Sequence, residues 1–170
     1  MEALIALWIP IVLAAAIMFI ASSIAWAALP HHKKDWAKLP NEAAVAGALE
    51  GVDAGQYMLP HGTMAAGWWA GILLRRGPAG MGRSLVLHFL NELLIAILAG
   101  YLAYYAIAPE ADYLQVFRIA GTALVLGQIG ALYSRAIWFG WRWRAIIVET
   151  VEGISYALLA AGVFGWWWVR

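Results

Sequence analysis

From Ala3 to Leu29 the only polar side chains are Ser22 and Ser23, and the run exceeds the roughly 20 residues that a helix needs to cross a hydrocarbon core. Three further apolar stretches follow, at Ser84 to Ala108, Tyr113 to Tyr133 and Ala145 to Val169. The chain is 64% hydrophobic and 12% charged, whereas soluble domains carry roughly 25% charged residues. These features predict an all-α membrane protein: a four-transmembrane-helix bundle over residues 1–170, with spans at about 3–29, 84–108, 113–133 and 145–169. Ala25-Trp26-Ala27 resembles a signal-peptide cleavage site. Met1-Glu2 supplies no positive n-region, however, and the apolar run is too long for an h-region, so the first span is expected to be retained.

Residues 30–83 differ in composition and are expected to form a long first loop. Pro30, Pro40, Pro60 and Pro78 punctuate them. Asn41-Glu42 is placed to start a short helix that runs to about Glu50, and Ala54-Gly55 breaks it. Gly62 to Leu74 is apolar but too short to span, which suits an interfacial helix or re-entrant segment. Lys33, Lys34, Lys38, Arg75, Arg76 and Arg83 fall in this loop, and Arg135, Arg142 and Arg144 fall between the third and fourth spans. Arg170 and Arg118 lie toward the other side. By the positive-inside rule both basic loops are expected to be cytoplasmic and both termini external. The two halves of the chain show no repeat that would indicate an inverted-repeat transporter.

Ionisable residues within spans carry the most chemical information, because a charge in hydrocarbon is costly and seeks a partner or a wet cavity. His88 and Glu92 stand four apart on one helical face with Asn91 beside them, and Glu149, Glu152 and Tyr156 share another. At about 1.5 Å per residue, Glu92 lies about 14 Å in from Arg83 and Glu152 about 12 Å in from Arg144. Ser22, Ser23 and Gln128 reach a similar depth on the first and third helices. The expectation is one polar layer of His88, Asn91, Glu92, Gln128, Glu149, Glu152 and Tyr156. Such a layer acts as hydrogen-bonding glue between helices, as a proton or cation site, or as a metal site. Gly127, Ala131 and Ser134 give the third helix a small-residue face for close approach.

A second candidate is His31-His32-Lys33-Lys34-Asp35-Trp36 with His61 further on. Two adjacent histidines, Asp35 and a remote histidine are ligand types for zinc or copper, although the spacing matches no established signature. The plainer reading is a juxtamembrane segment in which Lys33, Lys34 and Lys38 meet lipid headgroups while Trp36 anchors at the interface. Arg142 and Arg144, interleaved with Trp138, Trp141 and Trp143, fit the same interfacial belt.

Other classes are disfavoured by composition. A net charge of +1 argues against nucleic acid as a partner. With no cysteine there is no disulfide, thiolate catalysis or iron–sulfur cluster. Haem between spans would want facing histidines, and only His88 lies within one. No catalytic motif for a serine hydrolase, P-loop enzyme or dinucleotide enzyme occurs. No catalytic residue and no cofactor is therefore named from sequence.

Several short stretches resemble a family of small bacterial inner-membrane proteins for which no activity is known. They are Leu29-Pro30-His31-His32-Lys33-Lys34-Asp35-Trp36, Lys38-Leu39-Pro40, Gly55-Gln56-Tyr57 with Pro60, and Ile137-Trp138-Phe139. That resemblance implies a bacterial inner-membrane location and carries over no functional residue. The 11 tryptophans invite comparison with tryptophan-rich sensory proteins, but those have five spans and a different pattern. Three functions stay open. The leading one is a non-enzymatic protein that handles a cation, proton or small solute through the acidic layer as a homo-oligomer. The others are an accessory or scaffold subunit of a larger membrane complex, and a metal-dependent enzyme acting on a lipid or quinone through His31, His32 and Asp35.

Overall fold

The computed structural model describes residues 2–62, 67–75, 77 and 80–168. Among them, four helical stretches are long and apolar enough to cross a membrane: Trp8–Ala28, Met81–Ala106, Tyr113–Phe139 and Trp143–Trp166. The first is α2, and it is preceded by a separate short helix, α1 (Glu2–Ala6). The interruption at Leu7 follows from Pro10, which has no N–H for the Ala6 carbonyl and whose ring crowds that carbonyl. The expected span of 3–29 is thus two helices, in chain order α1 and α2.

The remaining spans also shift at their ends. After a short loop helix, α3 (Glu42–Ala48), come α4 (Met81–Ala106), α5 (Tyr113–Ile129), α6 (Leu132–Phe139) and α7 (Trp143–Trp166). Asp112 starts α5 with a capping box: its carboxylate accepts from the Gln115 N–H at 2.9 Å, and the Gln115 side chain accepts from the Asp112 N–H at 3.3 Å. That reciprocal pairing satisfies two amides a helix start would otherwise orphan. Beyond α5 the helical path crosses Gly130, whose N–H donates to the Leu126 carbonyl at 2.9 Å. It ends at Gly140, which adopts the left-handed conformation at φ 68° that glycine tolerates without a Cβ clash. Arg135 therefore stands on α6, and not in the link between spans where the sequence placed it.

Contacts divide the chain into two units, residues 1–35 with 81–170, and residues 36–80. In the first unit α2 packs on α4 and α7, and α5 packs on α4 and α7, so the four spans close a ring. Its centre is filled by Leu7, Met18, Val116, Leu124 and Phe164, with alanines 14, 15, 96, 99, 103, 120, 157, 160 and 161 between them. Small residues let helix backbones approach where lipid supplies no hydrophobic drive for association. At Gly153 of α7 a Cβ would stand 3.0 Å from Ile129 Cγ2 and 3.2 Å from Gln128 Cβ. Gly127 of α5 meets Ile95 of α4 in the same way. Outward-facing Val86, Leu98, Tyr105, Leu126, Val151 and Leu158 are exposed, as lipid-facing residues would be.

The second unit corrects the all-α expectation. Besides α3, it contains an antiparallel hairpin of β1 (Gly55–Leu59) and β2 (Ala70–Leu74), with Gly55 opposite Leu74 and Leu59 opposite Ala70. The stretch from Gly62 to Leu74 was expected to be interfacial or re-entrant, yet its last five residues form β2; residues 63–66 lie outside the described residues. Backbone pairing with β1 satisfies the inward-facing amides of β2 without a helix. Tyr57 donates its hydroxyl to the Asp53 carbonyl at 2.8 Å, and Lys38 pairs with Glu42 at 3.4 Å on an exposed surface.

Candidate metal centre

The end of α2 sets the site. Pro30 pushes Leu29 out of the helical region, to φ −90° and ψ 138°, because a residue before proline avoids that conformation. Pro30 then opens a 3₁₀ turn, Pro30–Lys34, where its missing N–H costs nothing. This turn folds His31 and His32 back against α7. His32 is buried and stacks on Trp26 of α2, with ring centroids 3.9 Å apart and planes 10° from parallel.

Two arginines at the start of α7 hold the turn in place. Arg142 donates to the Lys34 carbonyl at 2.9 Å, and Arg144 donates to the His31 carbonyl at 3.1 Å and to Asp35 Oδ1 at 2.5 Å. Asp35 in turn faces His32 Nδ1 through Oδ2 at 2.7 Å. The other ring nitrogen of His32, Nε2, stands 3.2 Å from both oxygens of Glu152 on α7. His31 Nε2 also contacts Glu152 Oε1. His31, His32 and Glu152 thus each offer a ligand atom, all within 4.8 Å of one another.

Both ring nitrogens of His32 face carboxylates, and that has a chemical consequence. An ionised carboxylate only accepts hydrogen bonds, and a neutral imidazole has one N–H. If His32 gives that N–H to Asp35, the lone pair on Nε2 points at Glu152. Only a positive species stabilises such a pairing, either a second proton or a metal ion. Convergence of His31 Nε2 on the same carboxylate brings a third potential ligand atom to the group, the number a metal ion needs from the protein. Donors about 2.1 Å from a tetrahedral ion stand about 3.4 Å apart, close to the 3.2 Å between His32 and Glu152. An Asp35–His32 pair behind the ligand atom is the usual way that a protein fixes the tautomer and orientation of a metal-binding histidine.

The structure divides the expected polar layer. Glu92 is buried in α4; it accepts from Gln128 Nε2 of α5 at 2.5 Å and lies 3.7 Å from His88 Nδ1. His88 Nε2 meets Ser22 Oγ of α2 at 2.8 Å, and Gln128 also reaches Met18. Glu149 is instead paired with Arg135 of α6, whose guanidinium lies 4.7 Å over the Trp141 ring. Glu152 joins the histidines of the turn, and Asn91 is exposed. Tyr156 Oη is buried without a hydrogen-bond partner. His61 lies in the second unit, as do Trp36 and Lys38. Lys33 and Lys34 belong to the 3₁₀ turn.

His31, His32, Asp35 and His61 are recognisable in the sequence as ligand types, but there Glu152 groups with Glu149 and Tyr156, and nothing marks Trp26 or Arg144 as part of a metal site. The available signal was Pro30 directly after an apolar helix, which turns the next residues back toward the bundle and away from the loop. Comparison of the chain with protein-family models, curated proteins and solved structures finds no match.

Proposed function

We propose that this chain is a multi-pass membrane protein that binds a divalent first-row transition-metal ion through His31, His32 and Glu152. The observation that carries the reading is His32 with a carboxylate at each ring nitrogen, in a group where His31 shares one of those carboxylates. Two imidazoles and a carboxylate form a donor set used by zinc and by non-haem ferrous sites, and three protein ligands leave a coordination position open. Asp35 orients His32, Arg144 holds Asp35, and Trp26 covers the imidazole face. The cation-handling role expected of the whole acidic layer contracts to this site, while Glu92, Gln128, His88 and Ser22 tie three helices together. A bacterial inner membrane, with the 3₁₀ turn on the cytoplasmic side, is the location that the loop charges and the family resemblance favour.

The test is metal content. Protein purified without an affinity tag that binds metal, then exposed to zinc or anaerobic ferrous ion and desalted, should retain one ion per chain. His32→Ala and Glu152→Gln should lose it, and His88→Ala should keep it. Retention of less than a tenth of an ion by the wild type, or equal retention by His32→Ala, overturns the reading.

A further inference from the structure

Glu152 and His31 also line a cleft between α2 and α7. Its walls are Ala21, Ile24, Ala25 and Leu29 on one side and Ile147, Val148 and Val151 on the other, and its volume is about 480 Å³, within the range of small-molecule sites. Ile24, Leu29, Ile147 and Val151 are exposed on the outer surface of spans, so the cleft opens sideways to whatever surrounds the bundle. From Ile147 to Tyr156 it follows α7 for about 13 Å at about 1.5 Å per residue. The polar groups are few: the two metal ligands, Ser155 and Tyr156. Ser155 is already committed to the Val151 carbonyl at 2.8 Å. Tyr156 Oη is the buried side-chain oxygen or nitrogen left without a hydrogen-bond partner among the described residues.

An apolar trough with the side chains of a metal site at its polar wall and the buried Tyr156 hydroxyl beside Glu152 has the chemistry of a site for an amphiphile. We infer that the cleft takes a fatty-acyl group from the bilayer, with the chain along α2 and α7 and the carboxyl or carbonyl oxygen on the open coordination position of the ion. This inference rests on the metal reading above. Coordination of a hard oxygen by a bound ion together with donation from Tyr156 fixes the head, and Ala21, Ala25 and Val151 admit the chain because they are small or short. A soluble polar substrate would find only three polar side chains besides Ser155, on walls that are otherwise hydrocarbon.

The test uses full-length protein in nanodiscs loaded with Co²⁺, whose visible absorption reports a change in ligation. Dodecanohydroxamate should perturb the spectrum saturably. Ala21→Phe and Val151→Trp, which fill the cleft from opposite walls, should each raise its half-saturation at least tenfold with Co²⁺ content unchanged. Acetohydroxamate, which has no chain, should act equally on all three proteins. Half-saturation by dodecanohydroxamate that is the same in wild type and both variants, or no spectral change at all, overturns the inference while leaving the ion site intact. Failure of the wild type to hold Co²⁺ instead overturns the metal reading, and this inference with it. Dodecanoate and methyl dodecanoate separate a free fatty acid from an acyl ester as the source, and a response to either upholds the acyl site.

Discussion

Asp35→Asn isolates the support behind the metal centre without touching a ligand. The carboxylate of Asp35 accepts at both oxygens, from His32 Nδ1 at 2.7 Å and from Arg144 at 2.5 Å. An asparagine has one oxygen and one NH₂, so it can serve only one of these donors. If the oxygen turns to His32, the amide faces the Arg144 guanidinium, donor against donor, and the 3₁₀ turn loosens. If it turns to Arg144, His32 loses its acceptor, and the tautomer with its lone pair on Nε2 is no longer favoured. Either way the ligand loses basicity from a charged neighbour. Loss of such a partner typically weakens metal binding 10- to 100-fold, which is about 1.4–2.7 kcal/mol. Competition against a chromophoric chelator in nanodiscs measures this, and the expected result is a Kd raised by roughly that factor at unchanged stoichiometry. A Kd within about twofold of wild type, too small a change for a lost orienting partner, would refute the role given to Asp35 and, with it, the argument from the two carboxylates of His32.

Other substitutions bear on separate parts of the account. Trp26→Ala removes the ring stacked on His32 and should weaken metal binding roughly 2- to 10-fold, in line with the 0.5–1.5 kcal/mol of an aromatic pair; fluorescence-monitored chelator competition checks it. Because ligating imidazoles must be neutral, binding releases protons, so apparent affinity should rise as pH is raised from 5 to 8, and a flat profile by the same assay would argue against histidine ligation. Glu92→Gln preserves a side chain of the same shape beside Gln128 and should leave metal content unchanged, with thermal stability altered by less than about 1 kcal/mol given the modest worth of intramembrane hydrogen bonds. Gly153→Leu drives a side chain into Ile129 and Gln128 and should cost about 1–3 kcal/mol of overpacking strain, visible as a lower midpoint in detergent-resistance melting.

The spans were legible because a run of about 20 apolar residues has few other uses. Their ends were less so: Pro10 dictates the break at Leu7, but a hydropathy pattern passes over a single proline. The pairing of β1 with β2 joins residues 11 to 19 apart, and the apolar run Gly62 to Leu74 reads in one dimension as an interfacial segment. For the site, the residue types were evident and their grouping was not. Depth counted along the helices groups Glu152 with Glu92, yet the two carboxylates go to different partners. In the sequence the histidines read as part of a juxtamembrane segment, whereas the 3₁₀ turn that opens at Pro30 brings them to α7. Arg144 belonged by type to an interfacial belt, and only the fold shows that its guanidinium closes on Asp35 and the His31 carbonyl.

The most direct measurement of the central claim is X-ray absorption on the protein loaded with one zinc ion. The account predicts a first shell of nitrogen and oxygen at about 2.0–2.1 Å, with the outer-shell scattering of two imidazoles that falls to one in His31→Ala. A shell of oxygen alone, or a spectrum unchanged when His31 or His32 is removed, would contradict it.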